Sequence, residues 1–326
     1  TEIPQYLYHF FASLMTFLKQ AEQAIPAEVR MISGCADAQT SADVSNVNQF
    51  ELPDPAGRSG GACTSALLKV LYTNKKKPDT DLSFRDVLQR VRDILAEGKY
   101  AQIPQLSSSR PFDVKTHFAL VPKGKEHGTR RAVLIGINYT GMNPGALTGC
   151  HNDVHNIKHY IMDVWGFKEE HITVLLDDGK HKPPTRANIL GAYAALAAKC
   201  QPGDVAFCHY SGHGGMLPDD NGDEDDGFDE TLIPLDFKRT GQIRDDDLFK
   251  ILVVPMKAGV TLTCLFDCCH SGTVLDLPYN FQADDHEFTE EKNYKFTPLL
   301  SIAAELKANC INCTNPADPA ANCTVS

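Results

Sequence analysis

Two short stretches carry residues able to do covalent chemistry. Phe266-Asp267-Cys268-Cys269-His270-Ser271-Gly272 follows the apolar, strand-like run Val260–Leu265. Upstream, Val205-Ala206-Phe207-Cys208-His209-Tyr210-Ser211-Gly212-His213-Gly214-Gly215 is a second such run, ending in a glycine-flanked histidine. A thiol that leaves a buried strand and turns at once into small polar residues is held rigidly and stays reachable. Two such strand ends can meet at the carboxyl edge of a parallel sheet, where α/β proteins place their chemistry. A thiolate nucleophile with a histidine base is an acyl-transfer pair. Successive side chains of a strand face opposite sides, so only one of Cys268 and Cys269 should meet His213. The backbone N–H groups of Gly214 and Cys269 are candidates for an oxyanion hole.

The elements that must position these groups alternate regularly. Arg131–Ile137, Ile172–Leu176, Asp204–Tyr210 and Val260–Phe266 read as strands, and Asp153–Trp165, Arg186–Lys199 and Asp245–Val253 as helices. This β-α-β-α order predicts an α/β fold with a mainly parallel sheet covered by helices on both faces. Before it lie an amphipathic helix over 5–24, a short strand over Arg30–Cys35, a Ser/Asn/Pro/Gly-rich loop over 40–61, and helices over Ala62–Tyr72 and Leu82–Ala96, the last with Asp81 as N-cap. Pro122–Arg130 is a basic, glycine-containing linker, and residues 280–326 carry little pattern beyond one helical stretch near Leu299–Lys307.

The chain has 326 residues and a formal charge of -11, which argues against nucleic acid as the main partner. No apolar run approaches the ~20 residues that span a bilayer. Thr1-Glu2-Ile3-Pro4 lacks the basic n-region of a signal peptide. The cysteine count of 11 is odd and several sit in apolar runs, so a reducing, cytoplasmic setting is expected. In that setting the glycosylation triplets at Asn138, Asn312 and Asn322 are chance matches.

Tyr210-Ser211-Gly212-His213-Gly214 and Asp267-Cys268-Cys269-His270-Ser271-Gly272 resemble the histidine and cysteine motifs of metacaspases. Ala132–Tyr139 and Gly149–Val154 are similar to the opening strand and helix of their large, p20-like subunit, and Ile32–Asp43 to the start of the small, p10-like region. The resemblance spans about 28–280 and implies a caspase-like three-layer αβα sandwich. The order is unusual, because the p10-like part precedes the p20-like part, as in type III metacaspases. Joining nearby termini and opening an exposed loop leaves core contacts intact, so the same sheet can form. The expected division is an N-terminal helix (1–27), a p10-like region (28–121), a linker (122–130), a p20-like catalytic region (131–280) and a tail (281–326), with one caspase-like domain overall.

The resemblance selects Cys269 as nucleophile and His213 as base, and leaves Cys268 to packing. The two lie 56 residues apart, near the ~50 of caspase-type pairs. It also implies that Asp153, Ser211 and Asp267 line the pocket for the residue before the scissile bond. Two acids there would attract Arg or Lys and oppose Asp. Taken alone, Asp153 reads equally well as an acid complementing a helix dipole. Metacaspases hold Ca²⁺ at positions matching Asp229, Asp245, Asp246 and Asp276, a hard-oxygen set that suits this cation. The acidic run 219–230 lacks the glycine of an EF-hand loop and reads as solvated. Cys310-x-x-Cys313 and Cys323 suggest Zn²⁺ or a redox pair, but with three thiols and no obvious fourth ligand the composition favours a disordered tail over a structural zinc site.

The expectation is a monomeric, calcium-activated cysteine endopeptidase acting on protein or peptide substrates after Arg or Lys. Lys123, Lys125 and Arg130 are candidate self-cleavage sites. The rivals are an Asp-specific caspase-type peptidase, and a catalytically silent scaffold that senses calcium or redox state.

Overall fold

The computed structural model describes residues 21–34, 43–44, 60–72, 81–100, 102–142, 145–219, 227–269, 274–283 and 288–292. Within them lie strands β1 (Glu28–Ser33), β2 (Asp43–Val44), β3 (Gly60–Gly61), β4 (Gln105–Ser108), β5 (Arg130–Gly136), β6 (Ile172–Leu176), β7 (Val205–Ser211), β8 (Gly214–Pro218), β9 (Phe228–Leu232), β10 (Ile243–Arg244), β11 (Thr261–Asp267), β12 (Tyr279–Ala283) and β13 (Phe288–Lys292). The helices used below are α1 (Ala62–Leu71), α2 (Phe84–Glu97), α3 (Cys150–Asp163), α4 (Arg186–Lys199) and α5 (Asp245–Leu248). Of the N-terminal helix expected over 5–24, only 21–24 falls among the described residues, and it is helical there. The helix expected near 299–307, the tail cysteines, residues 220–226 and His270–Thr273 lie outside them.

The central sheet has eight strands in the order β13-β12-β4-β1-β11-β7-β5-β6. The run β1-β11-β7-β5-β6 is parallel throughout, and β4, β12 and β13 extend it antiparallel. β7 and β11 are buried at every residue, as strands covered on both faces must be. The chain moves outward from β5 to β6 through α3, then back over β5 to β7 through α4. Right-handed crossovers place those two helices on opposite faces. Accordingly α1, α2 and α3 pack together on one side, and α4 packs against 249–253 on the other. This is the expected α/β, three-layer αβα caspase-like sandwich. β1 lies between β4 and β11, so the N-terminal third and the catalytic third share one sheet and one core.

Register sets where chemistry can happen. Gly136, Ser211 and Asp267 stand side by side at the carboxyl ends of β5, β7 and β11. Arg130, Val205 and Thr261 stand side by side at the opposite ends. Strands of seven residues rising about 3.3 Å each separate the two edges by roughly 20 Å.

Three local readings are corrected. The helix expected from Leu82 starts at Phe84, and its N-cap is Ser83 rather than Asp81. Asp86 N–H donates to Ser83 Oγ (3.1 Å) and Ser83 N–H donates back to Asp86 Oδ2 (2.9 Å), a reciprocal box that Asp81 cannot make. The helix expected over Asp245–Val253 keeps its α-form only to Leu248 and widens into a π-type turn over Phe249–Val253. The stretch from 280 onward, expected to carry little pattern, holds most of the β12–β13 pair at the edge of the sheet. Among the described residues no helix is long and apolar enough to cross a membrane.

Candidate active site

His213 leaves the end of β7 and is held from three sides. Its backbone N–H donates to Tyr139 Oη (3.0 Å), and its carbonyl accepts from Tyr210 Oη (2.8 Å) and Ile233 N–H (3.2 Å). The Tyr139 ring lies 4.7 Å from the imidazole at a tilt of 35°. Burial raises both phenols far above the ordinary tyrosine range, so they remain neutral hydrogen-bonding groups. His213 Nε2 lies 2.7 Å from the carbonyl oxygen of Gly145. A carbonyl only accepts, so Nε2 carries the proton and Nδ1 of the neutral ring is left as the basic nitrogen. The sequence carried no signal for Gly145, because a backbone oxygen has no side-chain signature. Tyr139 stood in the quoted motif but was given no role.

Cys269 comes to the same rim. A Cβ built on Gly214 would overlap the Cys269 carbonyl and lie 3.3 Å from its nitrogen, so only glycine permits this approach. The ladder between β8 and β9 adds a directional point. Gly214 faces Leu232, and the bond from Ile233 N–H to the His213 carbonyl flanks that pair. Gly214 therefore belongs to a non-hydrogen-bonded pair, and its N–H points away from β9. Cys268 is buried in the core, whereas Cys269 is partly exposed. His209, the other histidine of the upstream run, is fully buried, and burial lowers it to about 4. It stays neutral, with Nδ1–H donating to Leu265 O (3.1 Å), and serves the core.

The three residues expected to bind substrate, Asp153, Ser211 and Asp267, assemble beside this rim. Ser211 Oγ donates to Asp153 Oδ2 at 2.7 Å, and Gly61 N–H donates to the same oxygen at 2.8 Å. Thr64 N–H, in the first turn of α1, donates to Asp267 Oδ2 at 2.8 Å, where the helix dipole favours an anion. A Cβ on Gly61 would overlap the Asp267 carboxylate and stand 3.1 Å from Asp153 Oδ2. Gly61 thus lies between two carboxylates that are 1% and 4% exposed. One Cβ on Gly34 would come within 2.9 Å of Asp267 Oδ1. Both glycines belong to the N-terminal third, which therefore brings its backbone against these two carboxylates.

The four acids expected to hold a metal are all buried, at 2% to 8% exposure. The described structure does not gather them: among the described residues no three His, Cys, Asp or Glu side chains form a metal-sized group. The chain's own groups occupy them instead. Arg244 pairs with Asp229, Lys250 Nζ donates to Asp246 Oδ2 (2.7 Å), and Asp245 accepts from Glu230 N–H (2.6 Å) and Asp246 N–H (2.7 Å). Asp246 Oδ1 is buried with no hydrogen-bond partner, and Asp276 holds a positive φ of 46°.

The linker cations are less accessible than their loop setting implied. Only Lys123 is exposed. Lys125 Nζ donates to Thr261 Oγ1 (2.5 Å), and Arg130 opens β5 with its guanidinium on Trp165 O (2.5 Å) and Glu126 O (2.9 Å). These contacts sit at the amino-terminal edge of the sheet, across it from Cys269.

A caspase-like frame with a histidine and a cysteine on its carboxyl rim defines a cysteine peptidase. Comparison with known proteins agrees. The sequence model described as "Metacaspase, peptidase C14 domain" matches residues 130–278, and the one described as "Caspase domain" matches residues 17–115. Metacaspase III c of Phaeodactylum tricornutum is 54% identical over 288 residues, 87% of this chain and 85% of that one. Metacaspase-1 of Cryptococcus neoformans is 51% identical over 159 residues, and Metacaspase-1A of Aspergillus oryzae 50% over 154. This chain spans only 35% and 36% of the length of those two fungal proteins. The chain belongs to the metacaspase family.

Proposed function

We propose that this peptidase is a calcium-activated endopeptidase that cleaves after Arg or Lys. The observation that carries the specificity is the convergence of the Asp153 and Asp267 carboxylates on Gly61, beside the rim bearing His213 and Cys269. In such a partly desolvated site a guanidinium or ammonium gains strongly and a carboxylate is repelled.

The chemistry follows from the site. Cys269 Sγ attacks the scissile carbonyl carbon as its proton passes to His213 Nδ1, and a C–S bond forms. The oxyanion sits between the N–H groups of Gly214 and Cys269; the outward direction of Gly214 N–H supports this role. His213 returns the proton to the leaving amine as the C–N bond breaks. It then takes a proton from the water that attacks the thioester carbonyl; the C–S bond breaks, the acid product leaves, and His213 returns the proton to the Cys269 thiolate. Gly145 O holds the ring in the required tautomer throughout.

Asp229, Asp245, Asp246 and Asp276 would hold Ca²⁺. Their hard oxygen donors fit that cation, and so does the partnerless, buried Asp246 Oδ1. Bound calcium would supply the positive charge that Arg244 and Lys250 now provide, and would bind β9 and α5 to the segment at 276. The caspase-domain match at 17–115, ahead of the metacaspase match at 130–278, supports a p10-like region placed before the p20-like one. Cys63, Cys150, Cys200, Cys208, Cys264, Cys268 and Cys269 are free thiols, which supports a reducing, cytoplasmic setting. The protein acts as a monomer on polypeptides, not on nucleic acid or membranes.

Fluorogenic peptides with Arg, Lys or Asp at P1, assayed with and without calcium, test this reading against Cys269→Ala. Turnover of Arg and Lys peptides only with calcium, lost in the variant, is the expected result. Preference for Asp, or turnover in Cys269→Ala, would overturn it, and no turnover of any peptide would favour a silent scaffold.

A further inference from the structure

After β5 the chain bends sharply through Asn138, Tyr139 and Thr140. Tyr139 sits at φ 51°, a left-handed conformation costly for a bulky side chain, so its surroundings must impose it. Asp177, just past β6, does so from both sides. Its Oδ1 accepts from Asn138 N–H (2.8 Å) and its Oδ2 from Thr140 N–H (3.2 Å). His151 Nε2, in the first turn of α3, reaches the same Oδ1 at 2.5 Å. The Asp177 side chain is 4% exposed, and these donors together hold its carboxyl below the ordinary range against the opposing effect of burial. Two backbone bonds close the bend, Met142 N–H to Tyr139 O (2.9 Å) and Leu147 N–H to Asn138 O (2.8 Å).

The strained residue carries two of the contacts that place the base. Its ring packs on the His213 imidazole, and its hydroxyl accepts from His213 N–H while donating to Ile233 O at 2.6 Å. Tyr210 Oη, whose proton goes to His213 O, also lies 3.2 Å from the oxygen of Ile233, so both phenols and the His213 backbone form one buried knot. The chain of contacts runs from His151 through Asp177 and Tyr139 to His213.

We propose that Tyr139 is a positioning residue for His213, and that Asp177, steadied by His151, sets Tyr139 in the geometry that does this. The inference rests on His213 being the base, as argued above. Tyr139 touches neither substrate nor thiol in this account; it fixes the height and tilt of the imidazole. Displacing a catalytic group by about 1 Å can cost 10²-fold in rate.

The experiment measures kcat and KM on an Arg peptide, with rates referred to thiols titrated by a covalent arginyl inhibitor, and thermal melts in parallel. Tyr139→Phe should lower kcat about 10-fold and Tyr139→Leu about 100-fold, with KM within about twofold of wild type. Asp177→Asn should behave like Tyr139→Phe. His151→Ala should lose several-fold in kcat, and His151→Gln, which restores a donor, should recover most of that loss. Unchanged kcat in Tyr139→Leu and Asp177→Asn would overturn the proposal. So would a loss that disappears once rates are referred to titrated thiols, which marks a folding defect, or a change in KM alone. His213→Ala is the separate control: surviving turnover there removes the base assignment itself, and the positioning role with it.

Discussion

Two groups of buried carboxylates stand out in the fold, and their contacts differ. Asp153 and Asp267 accept from neutral groups, among them Gly61 N–H, Ser211 Oγ and Thr64 N–H. Asp229 and Asp246 are held by cations of the chain itself, Arg244 and Lys250. A neutral donor steadies a carboxylate without cancelling its charge. A carboxylate already paired inside must exchange that partner before anything else can bind, and the exchange makes it responsive to ion concentration. The first arrangement suits a specificity pocket and the second a switch.

The contrast can be broken by crossing variants between the groups. The largest effect is expected from Asp267→Asn, which keeps the acceptor for Thr64 but removes charge. It should lower kcat/KM for an Arg peptide 100-fold or more, on the scale of a lost charge pair, with the calcium midpoint unmoved. A shift of that midpoint would merge the two groups into one. Next is Gly61→Ala, whose methyl overlaps the Asp267 carboxylate. A fall of about 10-fold or more in kcat/KM is expected, because glycine is the residue that permits such close backbone approach; full activity would show that the pocket does not use this approach. Asp246→Asn should leave the maximal rate intact and raise the calcium requirement, read by titration, by about 10-fold. Lys250→Gln makes the smallest and sharpest test, because it removes the competing ammonium. The calcium midpoint should fall a few-fold, and a rise would mean that Lys250 supports the site rather than blocks it.

The parallel half of the sheet was legible because each of its strands is an apolar run that ends at or just before a glycine or an acid. Ile172–Leu176 and Arg186–Lys199 were read to the residue. The antiparallel half was not. β4 is Gln105-Leu106-Ser107-Ser108, buried throughout yet mostly polar, because its neighbours satisfy its hydroxyls and amide. Ser83 was missed for Asp81 because both residue types cap helices, and only the spacing to Asp86 separates them. At the site, side chains with a chemical signature were readable from their motifs. Those acting through the backbone were not: the carbonyl of Gly145 and the bend at Tyr139 exist only once β5, β6 and β7 stand in register.

The linker has a kinetic corollary. Lys123 to Arg130 is fastened to the amino-terminal edge of the sheet by Lys125 Nζ on Thr261, Thr129 N–H on Asp204 and Val205 N–H on Thr129 O. The thiol stands at the other edge, a strand's length of about 20 Å away. No folded molecule can bend this segment into its own cleft. A cut there would be made by a neighbour, so its rate per molecule would rise with protein concentration and fall on dilution.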